Sequence, residues 1–295
     1  MKTKIQFSSL LAIALLAVFG CGGLKVGNLD LGKLAETSAR VITGNKMSYQ
    51  DQVNMGQQMT AVIVGSSKML NDAKLQKYVN KVGKWVAMHS TKKHKKGEAT
   101  QWQFIVIDSP DFNAFSMPGG YVVISSGIID RLSSEAELAA VLAHEIAHVE
   151  QKHQVKAIEK SNRWSDIGEL GGTAYDYKKS QEGGYNTNSL LNRQISEGIL
   201  DATQSLYVKG LGRDDELDAD RKAVVLMTRA GYDPYAYLSV MQIIESIDDK
   251  DKLLVLATHP KISERIHVAY NTLNHVDKYL DKTKVVETRF IKNVP

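Results

Sequence analysis

The sequence predicts a predominantly helical α+β domain with a small antiparallel sheet. Apolar residues recur at helical spacing in a series of segments along most of the chain. Two short runs, Trp102–Ile107 and Tyr121–Ile124, instead have the β-branched, apolar character of strands. The chain has 295 residues, 43% apolar and 24% charged, an ordinary globular mix. That composition excludes collagen, coiled coil and wholesale disorder. The formal charge is +4, from 37 basic and 33 acidic residues. Apart from the short Lys92–Lys96 run, Lys and Arg are spread along the chain and nearly balanced by acids, so nucleic acid is not an expected partner. The single cysteine, Cys21, excludes an intramolecular disulfide.

Residues 1–20 read as a secretory signal peptide. Lys2 and Lys4 precede an apolar stretch through Leu10, Leu11, Ile13, Leu15, Leu16, Val18 and Phe19, and small residues follow. That stretch is shorter than the ~20 apolar residues a bilayer requires. Val18-Phe19-Gly20-Cys21 resembles a bacterial lipobox. The resemblance implies lipidation at Cys21 and a membrane anchor there. Gly22 and Gly23 follow, where an Asp would favour the inner membrane, so it implies the periplasmic side of the outer membrane. Residues 21–46 then form the lipidated N-terminus and tether, and residues 47–295 one folded domain. No later run is long and apolar enough to span a bilayer.

Within that domain, Val53, Met59, Val62 and Ile63 mark a helix over 48–68. Leu75, Val79, Val82 and Val86 mark another over 72–89. Lys92–Gly97 is a solvated charge run. The strand Trp102–Ile107 ends at the turn Ser109-Pro110-Asp111. The turn Met117-Pro118-Gly119-Gly120 introduces the strand Tyr121–Ile124. Ser133 or Ser134 can cap the next helix, with Glu135 and Glu137 favoured in its first turn by the helix dipole. That helix is expected to be amphipathic and to run to about His153. Residues 168–189, rich in Gly and Tyr, read as a long loop of the kind used as a lid. Helices follow over Leu190–Val208, Asp215–Ala230, Tyr235–Ile247 and Ser263–Tyr279. Gly231 and Pro234 stop the second of them.

His144-Glu145-Ile146-Ala147-His148 is the sharpest chemical signal. Residues four apart share a helix face, so both imidazoles reach one metal ion. Glu145 stands beside them, where it can take a proton from water. Zinc suits such a site, because it binds nitrogen and oxygen tetrahedrally and keeps one position for water. A metzincin needs Gly at 151 and His at 154, and both positions are Gln. A gluzincin needs a Glu on a later helix. Glu216-Leu217-Asp218-Ala219-Asp220 supplies Glu216 as third ligand. Asp220, on the same face, can hydrogen-bond the distal nitrogen of His144. His89, His94, His153, His267 and His275 lack partner spacing and read as surface or packing residues. His153 is five after His148, which turns it away from the metal.

These motifs resemble a family. His144–His148, Glu216–Asp220 with Arg213 before it, Asn113-Ala114-Phe115 with Pro118-Gly119-Gly120, and His259-Pro260 with Arg265 resemble the gluzincin zinc metallopeptidases related to CAAX prenyl protease and HtpX. The resemblance covers roughly residues 48–270 and points to the soluble periplasmic lipoprotein branch. Asp218 stands where a Glu is more usual. The resemblance implies a zincin-type fold, one Zn2+ per chain held by His144, His148 and Glu216, Glu145 as catalytic base, and support from Asp220 and Arg265. His259 is either a donor to the oxyanion, a removable fourth zinc ligand, or a packing residue. Gly119, Gly120, Tyr121 and Val122 are expected to start the edge strand bordering the cleft, where an extended substrate can add as a further strand. An ordinary tight hairpin is the other reading of this segment.

The function this implies is zinc-dependent hydrolysis of peptide bonds in misfolded or stalled envelope proteins. Protein or peptide substrates and the outer-membrane assembly machinery are then the expected partners. Two rivals are a non-proteolytic chaperone or assembly factor with a retained zinc site, and a lipid-anchored binding module with a vestigial one.

Overall fold

The structure is a computed structural model that describes residues 46–90, 100–160, 203, 206, 210–247 and 262–295. The segments expected to be a signal peptide (1–20), a lipidated Cys21 with its tether (21–45), a charge run (92–97) and a loop (168–189) lie outside the described residues, as do His259 and most of 190–208. The first helix, α1, spans Tyr49–Ser66. Ser48 caps it: its hydroxyl accepts from the Asp51 N–H, and the Asp51 carboxylate accepts from the Ser48 N–H at 2.9 Å. That reciprocal pair satisfies two otherwise orphaned donors. β1 (Lys68–Met69) leads to α2 (Ala73–Met88), whose cap Asp72 accepts from the Leu75 N–H at 2.9 Å.

β2 (Gln103–Asp108), β3 (Ala114–Met117) and β4 (Tyr121–Ser125) complete a four-stranded sheet of order β1-β2-β4-β3. The sheet is mixed, not antiparallel throughout. β1 and β3 run antiparallel to their neighbours, but β2 and β4 are parallel. The reason lies in the connection from Ser109 to Gly120. It carries β3 to the far side of β4, which is the kind of crossover that parallel neighbours need. β4 is therefore an inner strand and all five of its residues are buried. Its unbroken apolar run fits a strand covered on both faces.

The sheet separates two apolar clusters. Phe104, Val106, Val122 and Ile124 face the larger one, built with α2 and the later helices. Ile107, Tyr121 and Val123 face a smaller one with Met55, Met59 and Ile63 of α1. The β3–β4 turn seats directly on α1. Gly119 has φ +83°, and a Cβ there would stand 2.6 Å from the Val53 Cα. Glycine is the one residue that takes this backbone at no steric cost.

After α3 (Ser126–Ile129), α4 (Glu135–Gln151) starts at Ser134, whose hydroxyl accepts from the Glu137 N–H. α4 is not amphipathic: every residue from Glu135 to Val149 is buried. A helix covered all round lies inside the molecule. It packs against α2, β3, α6 (Arg213–Arg229) and α7 (Ala236–Ser246). At its end Lys152 takes a left-handed conformation, φ 58°, and a new helix, α5, begins at His153 and runs to Lys160. α8 (Ile262–Val276), a 3-10 turn (Asp277–Lys282) and α9 (Glu287–Asn293) close the chain. Among the described residues no helix is long and apolar enough to cross a membrane.

Candidate metal centre

One turn of α4 separates His144 from His148, and their Nε2 atoms stand 3.0 Å apart. Glu216, in the first turn of α6, brings its two carboxylate oxygens to 3.4 Å from His144 Nε2 and 3.3 Å from His148 Nε2. All three side chains are buried, and their ligand atoms lie within 4.8 Å of one another. A tetrahedral ion with bonds of 2.0–2.1 Å places its ligand atoms about 3.3 Å apart. The observed separations match that value. Buried Glu216 and Asp220 face one buried guanidinium, Arg265, and the two imidazoles between them.

A second layer holds the first in place. The Asp220 Oδ1 lies 3.1 Å from His144 Nδ1. Arg265 donates to both Asp220 oxygens, from Nη2 at 2.8 Å and from Nε at 3.0 Å. The Tyr237 hydroxyl lies 3.0 Å from His144 Nδ1 and donates to Asp220. Burial alone would raise the Asp220 pKa. The Arg265 charge, with hydrogen bonds from His144 and Arg265, instead holds the carboxyl well below its usual range. Burial and the Arg265 charge disfavour a proton on His144, yet its bonds to Asp220 and Glu216 prevail and push it up to about 9.

Glu145 is buried beside this cluster. Its Oε2 accepts from the Ser116 hydroxyl of β3 at 2.6 Å, and Ser116 in turn accepts from the Gln154 Nε2 of α5 at 2.7 Å. The base candidate is therefore tied to both the sheet and the helix after α4.

A family model, Peptidase family M48, matches residues 73–272, more than half of the chain. The chain belongs to this peptidase family. Members of M48 use a metal, and the His144–His148–Glu216 cluster is the one such group among the described residues. The relatives agree. The beta-barrel assembly-enhancing protease of Escherichia coli strain K12 is 28% identical over 242 residues, covering 79% of this chain and 46% of the relative. The mitochondrial metalloendopeptidase OMA1 of Arabidopsis thaliana is 25% identical over 245 residues, covering 83% and 42%. The OMA1 of Schizosaccharomyces pombe is 32% identical over 168 residues, covering 56% and 45%. The chain spans about half the length of the curated relatives it matches.

Within this M48 site the structure brings together His144, Glu145, His148, Glu216, Asp220 and Arg265. Two sequence expectations are corrected. Gly119 and Gly120 form a turn, and Tyr121 and Val122 belong to the inner strand β4, so none of them lies on the sheet edge. The edge on this side of the sheet is β3, Ala114–Met117, one place further out. It runs between two apolar hollows that both reach Glu145. One is lined by Ala114, Val141, Val240, Met241 and Ile244, and the other by Met59, Ile63, Phe115, Met117 and Leu211. His153 is not turned away: its Nδ1 lies 2.8 Å from His148 Nδ1. The helix break at Lys152 rotates it back toward the site. Sequence reasoning also missed Tyr237, Ser116 and Gln154. Each reaches the site through tertiary packing from a separate element, with no local spacing signal.

Proposed function

We propose that this chain is a zinc-dependent endopeptidase of the bacterial cell envelope, tethered by lipid at Cys21, that cleaves misfolded or stalled envelope proteins. The observation that carries this reading is the convergence of His144, His148 and Glu216 beside a buried Glu145 next to the terminal strand of a sheet. Zinc on those three ligands would supply Lewis acidity and a water acidic enough to react near neutral pH.

The protein's own groups do the rest. Glu145 takes the proton of the attacking water and hands it to the amide nitrogen as the C–N bond breaks. Ser116 engages Oε2, which leaves Oε1 to hold that proton. Asp220, Tyr237 and Arg265 keep His144 in one orientation. β3 offers backbone groups to an extended peptide, and main-chain pairing tolerates many sequences. The apolar hollows on either side of β3 favour the apolar side chains that folded proteins hide and misfolded ones expose. The names of the Escherichia coli and Vibrio cholerae relatives, proteases that enhance beta-barrel assembly, support a link to beta-barrel assembly. His259 stays with its three readings: oxyanion donor, removable zinc ligand or packing residue.

Trapping clients in cells tests the reading. The full-length Glu145→Gln chain should accumulate cross-linked envelope proteins that the wild type turns over, and should fail to complement a deletion. Equal client sets on both forms, with full complementation by Glu145→Gln, would establish a non-proteolytic assembly factor instead.

A further inference from the structure

His153 stands outside every motif that the peptidase reading uses, yet it is 2% exposed and sits against a metal-ligand candidate. Its position requires a device in the backbone. In an unbroken α4, residue 153 would point about 140° around the axis from His148. The left-handed residue Lys152 ends α4, and α5 restarts at His153 with the imidazole turned inward. The two Nδ1 atoms then meet at 2.8 Å, with the rings at 74° to each other.

Hydrogen-bond logic assigns the protons. A contact of 2.8 Å between two ring nitrogens needs one donor and one acceptor. If His148 gives the Nε2 lone pair to a metal, its proton is on Nδ1. The Nδ1 of His153 must then accept, and the proton of His153 is on Nε2. That Nε2 lies 3.5 Å from Asp215 Oδ1 and 3.5 Å from Asp218 Oδ2. Both aspartates flank Glu216 on α6. Each ligand imidazole thus has its own outer partner: Asp220 for His144, His153 for His148. One helix supplies both a metal ligand and the carboxylates behind His153.

We propose that His153 is the positioning residue of His148, accepting its Nδ1 proton across the helix break at Lys152, with the Asp215 and Asp218 carboxylates on its far side favouring a proton on Nε2. This rests on the metal-centre reading. It predicts that metal affinity depends on an acceptor at position 153, independently of whether the enzyme cleaves anything.

Zinc affinity of the purified full chain, measured by competition with a chromogenic chelator, tests it. His153→Leu keeps bulk but offers no acceptor, and should weaken zinc binding about 10–100-fold. His153→Asn places Oδ1 where the ring Nδ1 stood, and should recover most of that loss. A packing role predicts the reverse order, with Leu tolerated and Asn costly. Wild-type affinity in His153→Leu, or an equal loss in both variants, overturns the proposal. Should His153→Leu fail to fold, the exposed-side pair Asp215→Asn with Asp218→Asn gives the second measurement. A loss of about 3-fold or more supports the relay, and unchanged affinity in that pair together with His153→Asn at or below a tenth of wild type overturns it. A wild-type chain that binds no zinc would overturn the metal-centre reading and this proposal together, which separates that failure from a fault specific to His153.

Discussion

His144 shows how much chemistry one residue draws from its neighbours. Its Nε2 faces the ligand cluster, while its Nδ1 faces Asp220 and Tyr237. The pair His144–His148 and the pair Glu216–Asp220 were legible from sequence, because helical geometry turns a spacing of four into adjacency. Tyr237, Ser116 and His153 were not legible. The first two arrive from α7 and β3, and the third depends on a backbone break that no local composition marks. Replacing Asp220 tests the outer layer. Asp220→Asn keeps the shape but removes the charge opposite Arg265 and weakens the hold on His144. It should lower zinc affinity about 10–100-fold by chelator competition. Unchanged affinity would mean that Asp220 serves the fold and not the ligand.

At the scale of elements, Glu135 at the start of α4 joins three distant parts of the chain. It accepts from the hydroxyls of Tyr78 on α2, at 2.8 Å, and Tyr232 after α6, at 2.7 Å. It also forms an ion pair with Arg289 on α9. Burial opposes its ionised form, but hydrogen bonds from Arg289, Tyr232 and Tyr78 outweigh that and lower its pKa. A depressed carboxylate pKa means that the unfolded chain takes up the proton first. The stability it contributes is therefore complete above the ordinary carboxylate range, and is lost as pH falls through that range toward the folded-state pKa. Arg289→Ala should cost about 2 kcal/mol near neutrality by urea unfolding. It should also flatten the fall in stability between neutral pH and the acid range, because the folded-state pKa is then less depressed. An undiminished acid dependence would contradict this role. The main helices were legible through their 3.6-residue period. β3 was not, because its four residues become a strand only by pairing with β4, and its place at the edge follows from a crossover that no local signal encodes.

Across the whole molecule, a helix buried on all sides carries the ligand pair, and the sheet beside it ends in β3, whose side chains are mostly buried against the site. The predominantly helical α+β class was legible from sequence. The parallel pairing of β2 with β4 was not, since register and direction depend on how distant runs meet. With one cysteine there is no disulfide to brace the fold, so a bound metal becomes a structural link between α4 and α6. At free zinc of 100 times Kd, binding adds about 2.7 kcal/mol to stability. For a domain of this size that corresponds to a fall in Tm of about 5–10 °C on chelation. A chelator that leaves Tm unchanged while removing the metal would show that the two helices do not depend on it.

The most direct measurement is zinc content and casein cleavage, determined together on wild type and Glu145→Gln. The account predicts one zinc per chain in both proteins and cleavage by the wild type alone, with a loss of at least about 100-fold in Glu145→Gln. Cleavage by Glu145→Gln at the wild-type rate, or a zinc-loaded wild type that cleaves nothing, would contradict it.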